Sequence, residues 1–265
     1  MAPFDFDAPD TDTILRSSDG KEFRVHKVIL SLASPVFQGM FGLPQPPEPP
    51  SQIPTIDVPE SSDILAPFLQ LLYPRSPPKV QDIATWATLY ATAEKYSAEM
   101  VMETLRDMLI PRFLDTSPVR VYALASHWGF EEEAKIASRR ILTIDILKDF
   151  PQDDAELMGG VACQKLYHLH VTRCEAAQAL IINHPLPSSS DLSCCCDPPD
   201  YSNLISDLCK RVARRPWLTA EELYDSVYEY NYPKKCSNDC RDSNKNVHAY
   251  LSSLLKGISE LPQTI

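Results

Sequence analysis

The sequence predicts an α+β fold. A small β-sheet sits with a helical cluster at the N-terminus, and an all-α C-terminal region follows. Two observations carry this. Around Ser18-Asp19-Gly20, apolar and polar residues alternate, as they do in a short hairpin. From Lys27 onward they recur every three or four residues, interrupted by one further strand-like stretch, "TIDV". The order β-β-α-α-β-α-α-α over residues 1–115 is not the βαβ alternation that a parallel α/β sheet requires.

"TILRSS" and "EFRVH" flank the turn, and Phe23 and Val25 share one face, which should be buried. Lys27 to Ala33 reads as a helix with Val28, Ile29 and Leu32 inside. Ser34 stands at an N-cap position with Pro35 at the first helical position, so "SPVFQGMF" restarts a helix at once. "GLPQPPEPPSQIP" is too proline-rich for regular structure. After "TIDV", the helix in "PESSDILAPFLQLLY" aligns Ile64, Leu65, Phe68, Leu69 and Leu72. Two amphipathic helices bend near Ser97. Trp86, Leu89, Tyr90 and Ala93 line the first, and Val101, Leu105, Met108 and Leu109 line the second.

Together these stretches resemble the BTB/POZ domain. The family carries a D-G hairpin, F-x-V-H-[KR]-x-x-L, S-P-x-F-x-x-M-F and a late A-x-K-Y. Here they are Asp19-Gly20, Phe23 to Leu30, Ser34 to Phe41 and Ala93 to Tyr96. The resemblance covers about residues 1–115 and is specific as a set. In loop composition and layout the chain resembles BTB proteins of filamentous and mushroom-forming fungi. There are two departures. "LLYPRSPPKV" replaces the family's Y-[ST]-G and the strand after it, so that strand should be missing or reduced. The first strand opens Asp12-Thr13-Ile14-Leu15 instead of with Asp-Val.

The second half reads as helices throughout, divided into a helical extension over 116–184 and a Cys-containing helical tail over 185–265. Ser117 and Pro118 open a helix with Val121, Leu124, Ala125 and Trp128 inside. "EEEAKIASRRIL" puts acids at its start and arginines near its end, as the helix dipole favours. Val161 to Asn183 forms one long helix with Cys163, Leu166, His170, Cys174, Ala177 and Ile181 on one face. His184 to Asp200 reads as a linker. Thr219 and Glu222 stand at capping-box spacing, and "VHAYLSSLLKGISEL" is a last helix.

The net charge of −11 and pI of about 5.0 argue against nucleic acid as partner. No run approaches a membrane span, and "MAPFDFDAPDTD" is not a signal peptide, so a soluble chain of the cytoplasm or nucleus is expected. No GxGxxG, GxxxxGK[ST], GxSxG or HExxH is present, and no enzyme is predicted. His26 reads as structural, at the strand-to-helix junction. His170 and Cys174, one helical turn apart, could bind metal but lie on an apolar face, where a core histidine and a buried thiol are the simpler reading.

Cysteine supplies the one cofactor candidate. Cys194-Cys195-Cys196 lies in one loop and Cys236-x3-Cys240 in another. Thiols on two loops can close a tetrahedral zinc site, and Cys194 and Cys196 point the same way. Cys194, Cys196, Cys236 and Cys240 are therefore the candidate ligands of a structural zinc, with unpaired surface thiols as the alternative. Some fungal BTB proteins are similar in having a paired-cysteine element in the tail.

The resemblance implies a protein-interaction module. Many family members pair with a second copy through the first helix, whose apolar residues cannot all face one small core. Val28, Ile29, Leu32, Phe37 and Met40 are the candidate interface. Coverage of that helix by the chain's own tail is the alternative. The resemblance also implies a cullin-type ubiquitin-ligase scaffold as a partner, with the chain as substrate adaptor. A transcriptional or scaffolding oligomeriser is the runner-up. A zinc-dependent hydrolase would need an open coordination position and a carboxylate base, and neither is apparent.

Overall fold

The computed structural model describes residues 6, 8, 10–43, 53–74, 76–146, 148, 150–185, 201–223, 225 and 241–265. The chain divides into two compact units, Met1–Phe113 and Leu114–Ile265.

In the first unit, β1 (Thr13–Arg16) is the central strand of a three-stranded sheet. It pairs antiparallel with β2 (Glu22–Val25) and parallel with β3 (Thr55–Asp57). The register sets Leu15 opposite Phe23 and Thr13 opposite Val25, and all four are buried. Gly20 holds the turn at φ 84°, a left-handed conformation that favours glycine. Asp19 accepts hydrogen bonds from the Ser62 amide (2.8 Å) and hydroxyl (2.6 Å), fastening the turn to the start of α3 (Ser62–Leu72). The Ser17 hydroxyl, then the Ser62 donors, hold the Asp19 carboxyl down at about 2.

α1 (Lys27–Ala33) and α2 (Pro35–Gly42) meet at Ser34, whose hydroxyl accepts from the Phe37 amide at 3.1 Å, as the N-cap reading requires. α4 (Ile83–Lys95) and α5 (Glu99–Phe113) join at Ser97, where φ is 50°. Trp86 Nε1 donates to the Leu105 carbonyl at 2.7 Å, tying α4 to α5 inside the core. Leu65, Phe68, Leu69, Leu72, Leu89, Tyr90, Ala93, Val101, Leu105 and Leu109 are buried, while Ile64 and Met108 are only half-buried. Residues 76–82 form no strand, in keeping with the proline-rich sequence there.

The second unit contains α6 (Pro118–His127), α7 (Glu131–Ile141), α8 (Gln152–Asn183), α9 (Tyr201–Val212) and α10 (Arg241–Glu260). Ser117 occupies the N-cap position of α6 but makes no side-chain cap bond, because its ψ of 55° departs from the extended value a capping serine adopts. Trp128 is half-buried, not inside. α8 is two helices fused across Gly159 (φ 75°, ψ 164°), and the segment after the break carries the apolar face read from sequence. Leu166, His170, Cys174, Ala177 and Ile181 are buried there, with Cys163 half-buried. Beyond α9, the Thr219 amide donates to Glu222 (3.0 Å) and the Glu222 amide to the Thr219 hydroxyl (3.2 Å), closing the capping box.

One core joins Ala177 and Ile181 of α8 to Leu204, Leu208 and Val212 of α9, to Leu218 and Leu223, and to Leu251, Leu254 and Ile258 of α10. It runs across residue 184, so the end of α8 and the tail helices pack as one body. Arg173 fixes the same assembly. It is 1% exposed and donates to the carbonyls of Pro216 (2.9 Å), Ile258 (2.8 Å), Leu261 (2.7 Å) and Pro262 (2.6 Å). Its guanidinium lies 5.2 Å from the centre of the Trp217 ring. Burial first, then the charge of Arg139, lowers Arg173 to about 10. Carbonyls at the C-terminal end of α10 are partially negative and take the place of a carboxylate partner.

Candidate functional site

α1 is seven residues long, and a helix turns about 100° per residue. Residues two apart therefore point roughly opposite ways, and residues four apart share a face. Leu30 is its buried residue, so Val28 and Leu32 lie together on the side away from the core, 61% and 84% exposed. This corrects the expectation that Val28 and Leu32 pack inward. Ile29 is half-buried at the edge of the exposed strip.

The outward direction is imposed by the Ser34 junction. Besides capping α2, the Ser34 hydroxyl donates to the Tyr96 carbonyl at 2.5 Å. Phe37 stacks on the Tyr96 ring with centroids 4.6 Å apart, and Phe68 follows at 5.4 Å. The Tyr96 hydroxyl donates to Glu60 at 2.8 Å. Burial, then that contact with Glu60, raises the phenol well above its ordinary range. Phe37 is 0% exposed, so the structure moves it from the candidate surface into the core. Met40 is half-buried. Val36, exposed on the first turn of α2, belongs to the outward set and was missed. Its position one residue before the inward Phe37 was the available signal.

The N-terminus of α1 is held by side chains from elsewhere. The Asp12 carboxylate accepts from the Lys27 amide at 2.8 Å. His26 occupies the cap position without a capping bond. Its Nδ1 sits 3.1 Å from the Tyr73 hydroxyl and its Nε2 3.3 Å from Asp10. His26 is thus a fastener between β2, α1 and the end of α3, consistent with the structural role read from sequence. The capping of α1 itself falls to Asp12.

Cys194, Cys196, Cys236 and Cys240 lie outside the described residues. Among the described residues, no group of three or more His, Cys, Asp or Glu is placed to hold a metal ion. His170 and Cys174 are both buried, with His170 Nε2 3.0 Å from the Arg214 carbonyl and the Cys174 thiol 3.6 Å from that of Ala213. Burial pushes the thiol up to about 11, which suits an inert core group. No helix among the described residues is long and apolar enough to cross a membrane.

Residues 7–112 match the BTB/POZ domain family, a protein-interaction module, and the matched stretch falls within the first compact unit. No curated protein matches the chain.

Proposed function

We propose, from the BTB/POZ domain at residues 7–112, that the chain self-associates through the outward face of α1 while its helical remainder presents a second binding surface. The observation that carries this is the exposure of Val28 and Leu32 on one face of one short helix. Apolar side chains grouped in that way are better covered than wetted, and a second copy supplies a matching face by symmetry. Residues 1–115 form the interaction domain in this reading, with 116–184 and 185–265 as the helical extension and the tail. The chain works in the cytoplasm or nucleus. The proline-rich loops and tail cysteines support placing it beside the BTB proteins of filamentous and mushroom-forming fungi.

The finer role in this proposal is substrate adaptor, in which the domain docks a cullin-type scaffold. Affinity purification from native cells, read by mass spectrometry, tests it. Recovery of a cullin supports the adaptor. Recovery of only the bait and other BTB chains leaves a scaffolding oligomeriser. Val28→Asp with Leu32→Asp tests the surface itself. The pair should shift the chain toward monomer in light scattering while far-ultraviolet circular dichroism stays that of the folded chain, because neither side chain contributes to the core. An unaltered mass would defeat self-association through α1.

A structural zinc held by Cys194, Cys196, Cys236 and Cys240 is the cofactor in this proposal, supported by their grouping in two loops. Elemental analysis of the purified chain should find about one zinc per molecule. A metal-free chain ends the idea.

A further inference from the structure

The geometry points to an anion site in the second unit: we propose that it binds a small molecule carrying two or more phosphate groups. Lys148, Lys210, Arg211, Arg214 and Arg215 line a cavity of about 810 Å³, with Asp145 as the one acidic residue among them. These cations come from the segment between α7 and α8, from the last turn of α9, and from the residues after it. They gather in a chain whose net charge is −11, so the local field opposes the global one.

The pairing pattern leaves charge available. Arg211 is held by Asp207 at 2.7 Å and Arg215 by Glu222 at 3.4 Å, which orients both guanidinium groups. Lys148, Lys210 and Arg214 have no ion-pair partner among the described residues. Even with Asp207 and Glu222 included, cations outnumber carboxylates by five to three among the described residues.

The C-terminal end of a helix ordinarily repels an anion, because its last carbonyls are partially negative. Here α8 engages those carbonyls from behind. Gln178 donates to the Cys209 carbonyl at 3.1 Å, the Cys174 thiol approaches that of Ala213, and His170 meets that of Arg214. The side chains are left to set the sign of the cavity.

The size of the cavity narrows the ligand. The volume lies in the range of small-molecule sites, several times what one inorganic phosphate fills. Asp145 Oδ1 is sealed from solvent and so lies out of a ligand's reach, which leaves the lysines and arginines as the charged groups that face it. The ligand's phosphates meet those lysines and arginines through charge-assisted hydrogen bonds.

Calorimetry on the full chain at physiological salt tests this with inositol 1,4,5-trisphosphate as probe. One-to-one binding is expected, weakened at least about tenfold by Lys210→Glu with Arg214→Glu, since each removes a charge-assisted contact. Both side chains are exposed, and Lys210→Gln with Arg214→Gln should weaken binding in the same direction while leaving melting unchanged. Inorganic phosphate, with a single phosphate group, should bind more weakly than the probe. Phosphatidylcholine vesicles with and without phosphatidylinositol 4,5-bisphosphate separate the sources. Capture lost in the charge-reversed variant assigns the phosphates to a lipid headgroup, and binding of the soluble probe alone assigns them to a free, soluble ligand. A probe no tighter than inorganic phosphate, or a variant that binds like wild type, overturns the proposal.

Discussion

Ser34 performs three tasks, one through its backbone amide, which donates to the Leu30 carbonyl, and two through its hydroxyl. It ends α1, caps α2, and donates to the Tyr96 carbonyl at the end of α4. The last bond is buried, so its loss leaves a carbonyl without a partner in a region closed to water. Ser34→Ala should destabilise the first unit by about 1–3 kcal/mol, combining a lost cap with an unsatisfied acceptor. Urea denaturation followed by Trp86 fluorescence would measure it, and a change below about 0.5 kcal/mol would show that the junction is held by ring stacking alone. The sequence announced the cap through Ser-Pro. It did not announce Tyr96, because a partner 62 positions away is brought near only by the packing of α4.

At the scale of elements, α8 shows how one residue divides a helix. Gly159 and Gly160 are neighbours, and neither has an atom within 4 Å of where a Cβ would stand. They differ in backbone alone. Gly159 sits at φ 75°, ψ 164°, a region that side-chain-bearing residues avoid, so Gly159→Ala should cost about 1–3 kcal/mol. Gly160→Ala meets ordinary helical backbone and should stabilise by roughly 0.5–1 kcal/mol, since alanine restricts the unfolded chain. Chemical denaturation of the two variants should therefore move in opposite directions. Movement in the same direction would mean that α8 is continuous in solution. α1 makes a related point. Period alone placed its apolar residues without saying which side was inward, because Val28, Leu30 and Leu32 are all apolar and a seven-residue helix offers two plausible faces.

At the scale of the whole molecule, the two units rest on different supports. The first is a sheet and helix cluster whose hairpin and Ser34 cap are local motifs, fastened by the long-range contacts of Ser34 and Phe37 with Tyr96. The second is held by a core that spans α8 to α10 and by one buried arginine bonded to four carbonyls. The zinc proposal is confined to the second. Cys236→Ser with Cys240→Ser should lower its melting temperature by several degrees while the first unit keeps its own transition. One shared shift of both transitions would contradict separate folding. By itself the sequence determined the hairpin, the order of the elements, the Ser34-Pro35 restart, the Thr219–Glu222 box and the kinship of residues 7–112 to BTB/POZ domains. These are short-range signals, written within a few residues of where they act. Tertiary structure alone decided that Phe37 turns inward while Val28 and Leu32 face out, that Asp12 caps α1, and that lysines and arginines from two separate segments line one cavity. Each of these depends on which distant side chain arrives at a given point, and burial and charge pairing are settled only when the chain has packed.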